Sequence, residues 1–95
     1  MLYVIQCEDK PGALQVRLDN RPAHVEYIKQ FNLMAAGPTL ADDGETMNGS
    51  VIIIDLPDQS AVDDFMANDP YAKAGLFSNA TSRPWKSVIW NAPSE

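Results

Sequence analysis

Gly49-Ser50-Val51-Ile52-Ile53-Ile54-Asp55-Leu56 is a short run of β-branched residues entered through a glycine. A run this short, rich in isoleucine and valine, reads as a strand rather than a helix. A strand with one wet face alternates apolar and polar residues. Val51 to Ile54 does not alternate, and neither does Leu2-Tyr3-Val4-Ile5 near the start. Both stretches therefore predict strands covered on both faces.

The flanking sequence supplies the other elements. Leu2 to Glu8 predicts a first strand, ended by the turn signal Asp9-Lys10-Pro11-Gly12. Ala13 to Leu18 predicts a short helix. Asp19-Asn20-Arg21-Pro22 should interrupt it, because a residue before proline is pushed out of the α region. Pro22 then suits the first turn of a second helix running to about Phe31, with His24, Ile28 and Phe31 on one stripe. Leu33 to Leu40 contains Gly37-Pro38 and predicts a strand at an edge or with a bulge, because proline lacks a ladder donor. Asp58 or Ser60 should cap a helix carrying Ala61, Val62, Phe65 and Met66 on its apolar face. Asp69-Pro70 should start a brief helical turn to Gly75, and a last strand is expected within Arg83 to Trp90. Residues 91–95 read as a frayed tail of a single domain spanning 1–95.

This order is βαββαβ, the ferredoxin-like α+β pattern: a four-stranded antiparallel sheet with both helices on one face. Two helices cannot cover the second face. A second copy packed sheet to sheet is the expected cover, giving a homodimer.

Composition narrows the partners. The chain has 95 residues, 45% of them apolar, and a formal net charge of −6. Its seven Lys and Arg are scattered, which argues against nucleic acid and against an anionic membrane surface. The single cysteine, Cys7, excludes an internal disulfide and reads as a small core or strand residue rather than a nucleophile. No basic leader or long apolar segment is seen, so a cytoplasmic location is the expectation. One His and one Cys with no spaced cluster point to no metal, and no phosphate or dinucleotide glycine loop points to no cofactor.

Arg17, Arg21-Pro22-Ala23-His24, Ala36-Gly37-Pro38, Gly49-Ser50, Asp69-Pro70-Tyr71, Ala74-Gly75 and Pro84-Trp85 fall in an order that resembles the YciI-like proteins, the family of the YCII-related domain. The opening Met1-Leu2-Tyr3-Val4-Ile5 and Glu8-Asp9-Lys10 resemble it too. The resemblance implies a ferredoxin-like chain that pairs as a dimeric α/β barrel. It implies a pocket holding a histidine and an aspartate, here His24 and Asp69, with Ser50 nearby. A related type of protein dehydrochlorinates a chlorinated hydroxyquinone, and the wider fold group includes lactone isomerases and cofactor-free oxygenases. The stretch Ala41 to Asn48 is shorter than in some members, so part of the pocket rim is expected to differ.

The residues themselves allow two readings each. His24, the only histidine, can both accept and donate a proton near neutrality, or it can be a hydrogen-bonded core residue. Asp69 can orient that ring, or simply cap a helix, or do one with each oxygen. Ser50 can donate to a substrate oxygen or serve a turn; without a G-x-S-x-G elbow it is no hydrolase nucleophile. Arg17 and Arg21 can clamp a substrate carboxylate, or stay solvated or form helix-end salt bridges. Tyr71 and Trp85 can line an aromatic site or merely pack. The expected function is a cofactor-free enzyme using a His24–Asp69 acid–base pair for elimination, dehydrochlorination or isomerisation of a small molecule. The alternative is a non-catalytic metabolite-binding or accessory dimer.

Overall fold

The computed structural model describes residues 1–93; Ser94 and Glu95 of the expected tail lie outside the described residues. The elements are β1 (Leu2–Asp9), α1 (Leu14–Ile28), β2 (Leu33–Leu40), β3 (Met47–Asp55), α2 (Gln59–Asn68), α3 (Pro70–Lys73) and β4 (Phe77–Trp85). All pairings are antiparallel, in the order β2-β3-β1-β4. Both crossover connections therefore span a strand, as the ferredoxin-like pattern requires. No helix among the described residues is long and apolar enough to cross a membrane.

β1 and β3 alternate more than their residues imply. Tyr3, Ile5 and Cys7 on β1, and Ser50, Ile52 and Ile54 on β3, are buried on the helix side. Leu2, Val4, Val51 and Ile53, on the other face, are only half-buried. The helices of one chain thus leave that face uncovered, in line with the expectation that they are too few to cover both. The helix side closes over Val62 and Phe65 of α2 and Ile28 of α1. Tyr27, Phe31 and Phe65 cluster between the two helices, and the Tyr27 hydroxyl donates to the Phe65 carbonyl at 2.9 Å.

Two expected boundaries are corrected. The break at Asp19–Pro22 does not occur: α1 is one helix of 15 residues with Pro22 inside it. Proline removes the bond to the carbonyl four residues back, here Leu18. Leu18, Asp19, Arg21 and Pro22 are all exposed, so the missing bond falls on the solvent side of α1, where water can replace it. The Asn20 amide also donates to the Val16 carbonyl at 2.8 Å and firms the preceding turn. The last strand is Phe77–Trp85, sharing only its final three residues with the expected Arg83 to Trp90. Phe77 to Ser82 looks too polar for a strand, but β1 offers it a free edge, and pairing context outweighs propensity. The strand-like residues Val88, Ile89 and Trp90 find no such edge and stay exposed.

Gly49 sits where the sheet is tightest. A Cβ there would lie 2.5 Å from Thr39 Oγ1 and closer still to the Cys7 carbonyl oxygen. Backbone on one side cannot yield, so Gly49→Ala should cost about 1–3 kcal/mol, in line with overpacked interiors. A lowered urea midpoint measures this; an unchanged midpoint would show that the strands can spread.

Candidate active site

The site lies on the helix side of the sheet, between α1, the β2–β3 hairpin and α3. α1 brings three side chains to it at helical spacing: Arg17, Arg21 and His24. β3 contributes Ser50 and Ile52, β2 contributes Ala36, Gly37 and Pro38, and α3 contributes Tyr71. Together they enclose a cleft of about 130 Å³. Apolar cavities of about 150 Å³ hold a single benzene ring, so the cleft has the scale of one small ring.

Asp69 organises the buried pair it makes with His24. It is the residue before Pro70, held extended at φ −63° and ψ 128°, and it caps α3. Its Oδ1 accepts from the Tyr71 backbone N–H at 2.9 Å and from His24 Nδ1 at 2.8 Å. One oxygen thus serves both the cap and the imidazole, where the sequence allows one oxygen for each. The cap also sets Tyr71, whose ring stacks on His24 with centroids 3.9 Å apart and planes 15° from parallel. With Nδ1 donating to Asp69, Nε2 keeps its lone pair and is the nitrogen available to the cleft. His24 is 8% exposed and Asp69 4%, and no buried side-chain nitrogen or oxygen among the described residues lacks a partner.

Arg17 is not a solvated arginine. It is 2% exposed and turns its fork on Asp9, with Nε to Oδ2 at 2.7 Å and Nη2 to Oδ1 at 2.9 Å. Nη2 also lies 2.8 Å from the Gly49 carbonyl and 2.9 Å from Ser50 Oγ. Burial penalises the guanidinium charge, but the hydrogen bond and charge of Asp9 outweigh it and raise its pKa. The carboxylate that Arg17 clamps is therefore internal. Its face also lies over the Tyr71 ring, 4.7 Å from the centroid. Since arginine only donates, Ser50 Oγ accepts from it and keeps its own proton for another acceptor. Burial pushes the Tyr71 phenol up, while Arg17 and Arg21 pull it down.

Arg21 is exposed at the cleft rim. Trp85 is placed elsewhere: it pairs in register with Leu2 and so lies on the sheet face away from the cleft. Asp9 reads in the sequence as part of a turn and of the family-like Glu8-Asp9-Lys10, and neither marks it as the partner of Arg17, which lies eight residues on, across that turn. Among the described residues, no group of three or more His, Cys, Asp or Glu side chains converges as a metal site would require.

Cys7 lies beneath the site, and burial pushes its thiol up to about 12, with Asp69 adding and Arg17 opposing. A thiol so raised is no nucleophile near neutrality. Iodoacetamide at pH 8 should leave Cys7 unmodified in the folded protein and label it fully in denaturant. The thiol keeps its proton to higher pH in the folded state than in the unfolded one. Its contribution to stability therefore holds below the ordinary thiol value of 9.0 and is lost as pH rises from there to about 12. Cys7→Ala should blunt that alkaline loss in pH-dependent urea melts.

A four-stranded antiparallel sheet in βαββαβ order, with the second helical connection split into α2 and α3, places the chain in the ferredoxin-like class found among dimeric α/β barrels. The YCII-related domain family matches residues 1–86, and the chain belongs to that family. It is 35% identical to an uncharacterized protein of Haemophilus influenzae and 33% identical to protein YciI of Escherichia coli, each over 94% of this chain and all of the relative. Among solved structures it resembles the 5-chloro-2-hydroxyhydroquinone dehydrochlorinase of Burkholderia phenoliruptrix in complex with 2,5-dihydroxybenzoquinone. That likeness has a TM-score of 0.84 and 39% identity, covering 90% of this chain and 94% of that one.

Proposed function

We propose that the chain is a YciI-type, cofactor-free enzyme whose His24–Asp69 pair moves a proton on a small oxygenated ring. The observation that carries this is the 2.8 Å contact between His24 Nδ1 and Asp69 Oδ1 beside an open cleft. It orients the ring and stabilises the imidazolium that forms when Nε2 takes a proton. Ser50 donates its free proton to a ligand oxygen, with Arg17 holding the hydroxyl in place. Arg21 supplies positive charge at the rim, and Tyr71 offers a phenol and a flat wall. Val25, Ile28, Ile52 and Pro38 give the ring apolar contact. The proton taken by Nε2 has two fates. Returned to a different atom, it completes an isomerisation. If a leaving anion departs with its bonding pair instead, the net step is elimination of HX. The resemblance to a dehydrochlorinase favours the second fate.

We also propose that the chain works as a homodimer packed sheet to sheet, because β1 and β3 carry Leu2, Val4, Val51 and Ile53 on a face no helix covers.

The test supplies 5-chloro-2-hydroxyhydroquinone without oxygen and follows chloride release. Stoichiometric chloride and quinone, formed at a rate proportional to protein, support the enzyme reading. Tight binding of 2,5-dihydroxybenzoquinone without turnover of this compound or related hydroxyquinones would instead favour a metabolite-binding module.

A further inference from the structure

We propose that Val88-Ile89-Trp90 is an arm that closes over a second copy of this chain. The inference rests on the sheet-to-sheet dimer proposed above and adds the contact that completes it. These three consecutive large side chains follow β4 and are 88%, 78% and 52% exposed. Water is a poor environment for such a cluster, and contiguous exposed apolar groups mark interaction surfaces.

Their position identifies the occupant. Trp90 lies 6.1 Å from Trp85, centroid to centroid. Trp85 is level with Leu2, on the sheet face opposite the helices. The arm therefore leaves the chain at the apolar end of the open face, beside Leu2, Val4 and Ile53. Whatever covers that face meets the arm.

Area argues that the arm is needed. Four strands about 4.8 Å apart, each about eight residues long at 3.3 Å per residue, make a face of roughly 500 Å². A stable interface takes about 800 Å² from each partner. Burying these three largely exposed side chains adds on the order of 100 Å² apiece, which closes the gap. Charge argues for a copy of the same chain. Arg83 is level with Val4 near one end of the face, and Glu8 lies four residues further along β1. Asp55, at the Arg83 end, is already paired with the N-terminal ammonium at 2.9 Å. A two-fold axis across the middle of the face sets these unlike ends together.

Sedimentation of the full chain and of the Val88→Ser/Ile89→Ser protein decides the matter. Serine adds no charge, and both positions are exposed, so the far-UV spectrum should not change. The expected result is a wild-type dimer and a variant whose dimer is weaker by about a hundredfold or more, because the two-fold axis removes four large apolar contacts, two from each arm. A second readout uses Trp85→Phe, which leaves Trp90 as the only tryptophan. Its emission should move to shorter wavelength as the concentration rises through the dimer constant. Equal dimerisation of both proteins, with Trp90 emission independent of concentration, overturns the arm and leaves the sheet dimer standing. A monomeric wild type overturns both.

Discussion

His24→Gln should leave the protein folded and lower turnover by about a hundredfold to ten-thousandfold, the usual contribution of a positioned acid–base group. Glutamine preserves most of the packing against Tyr71 and can still donate to Asp69, so the cap at α3 survives. It cannot take a proton. His24→Ala makes the same chemical change but also empties the space beside Tyr71 and leaves Asp69 with one donor instead of two. It should therefore cost stability as well, about 1–3 kcal/mol for a buried polar group losing a partner. The pair of variants separates chemistry from architecture. If His24→Gln keeps full turnover, His24 is a structural histidine and the acid–base reading fails. Asp69→Asn should reduce turnover more than it changes KM, because the amide retains an oxygen for the Tyr71 N–H but does not stabilise an imidazolium.

Arg17→Met should destabilise the fold more than any single change in the cleft. The Arg17 and Asp9 side chains are 3% and 6% exposed, so the pair is screened little by solvent. Removing the arginine strands the Asp9 carboxylate, and frees Ser50 and the Gly49 carbonyl. Breaking a buried ion pair from one side costs about 3–5 kcal/mol. Domains of this size hold only about 5–15 kcal/mol in total, and each kcal/mol moves the melting point by about 4–8 °C. A drop of some tens of degrees in Tm is the expected result. The double change Arg17→Met/Asp9→Leu should recover much of it, because apolar replacement of both partners removes the stranded charge. A double variant no better than the single one would mean that Arg17 acts through Ser50 and Gly49 rather than through Asp9.

Parts of this architecture are written locally in the chain. β3 follows from a β-branched run, Asp58 and Asp69 cap the helices they precede, and Gly75 takes φ +72° after α3. His24 and Asp69 stand out as residue types whose chemistry needs a partner, and the ordered motifs pair them. Helix α1 and strand β4 escape a local reading for a shared reason. Pro22 and the polar run Phe77 to Ser82 look unfavourable on their own, and each is tolerated because of what lies beside it: water in one case, the free edge of β1 in the other.

The chain alone therefore determined the order of the elements, the caps and the cast of reactive side chains, since these depend on neighbours a few residues apart. Only the folded sheet decided that Asp9 locks Arg17, that Arg17 holds Ser50, and that one oxygen of Asp69 serves both a helix and an imidazole. Those contacts join residues from 2 to 45 positions apart, and the long ones exist because antiparallel pairing and helix packing bring distant segments together.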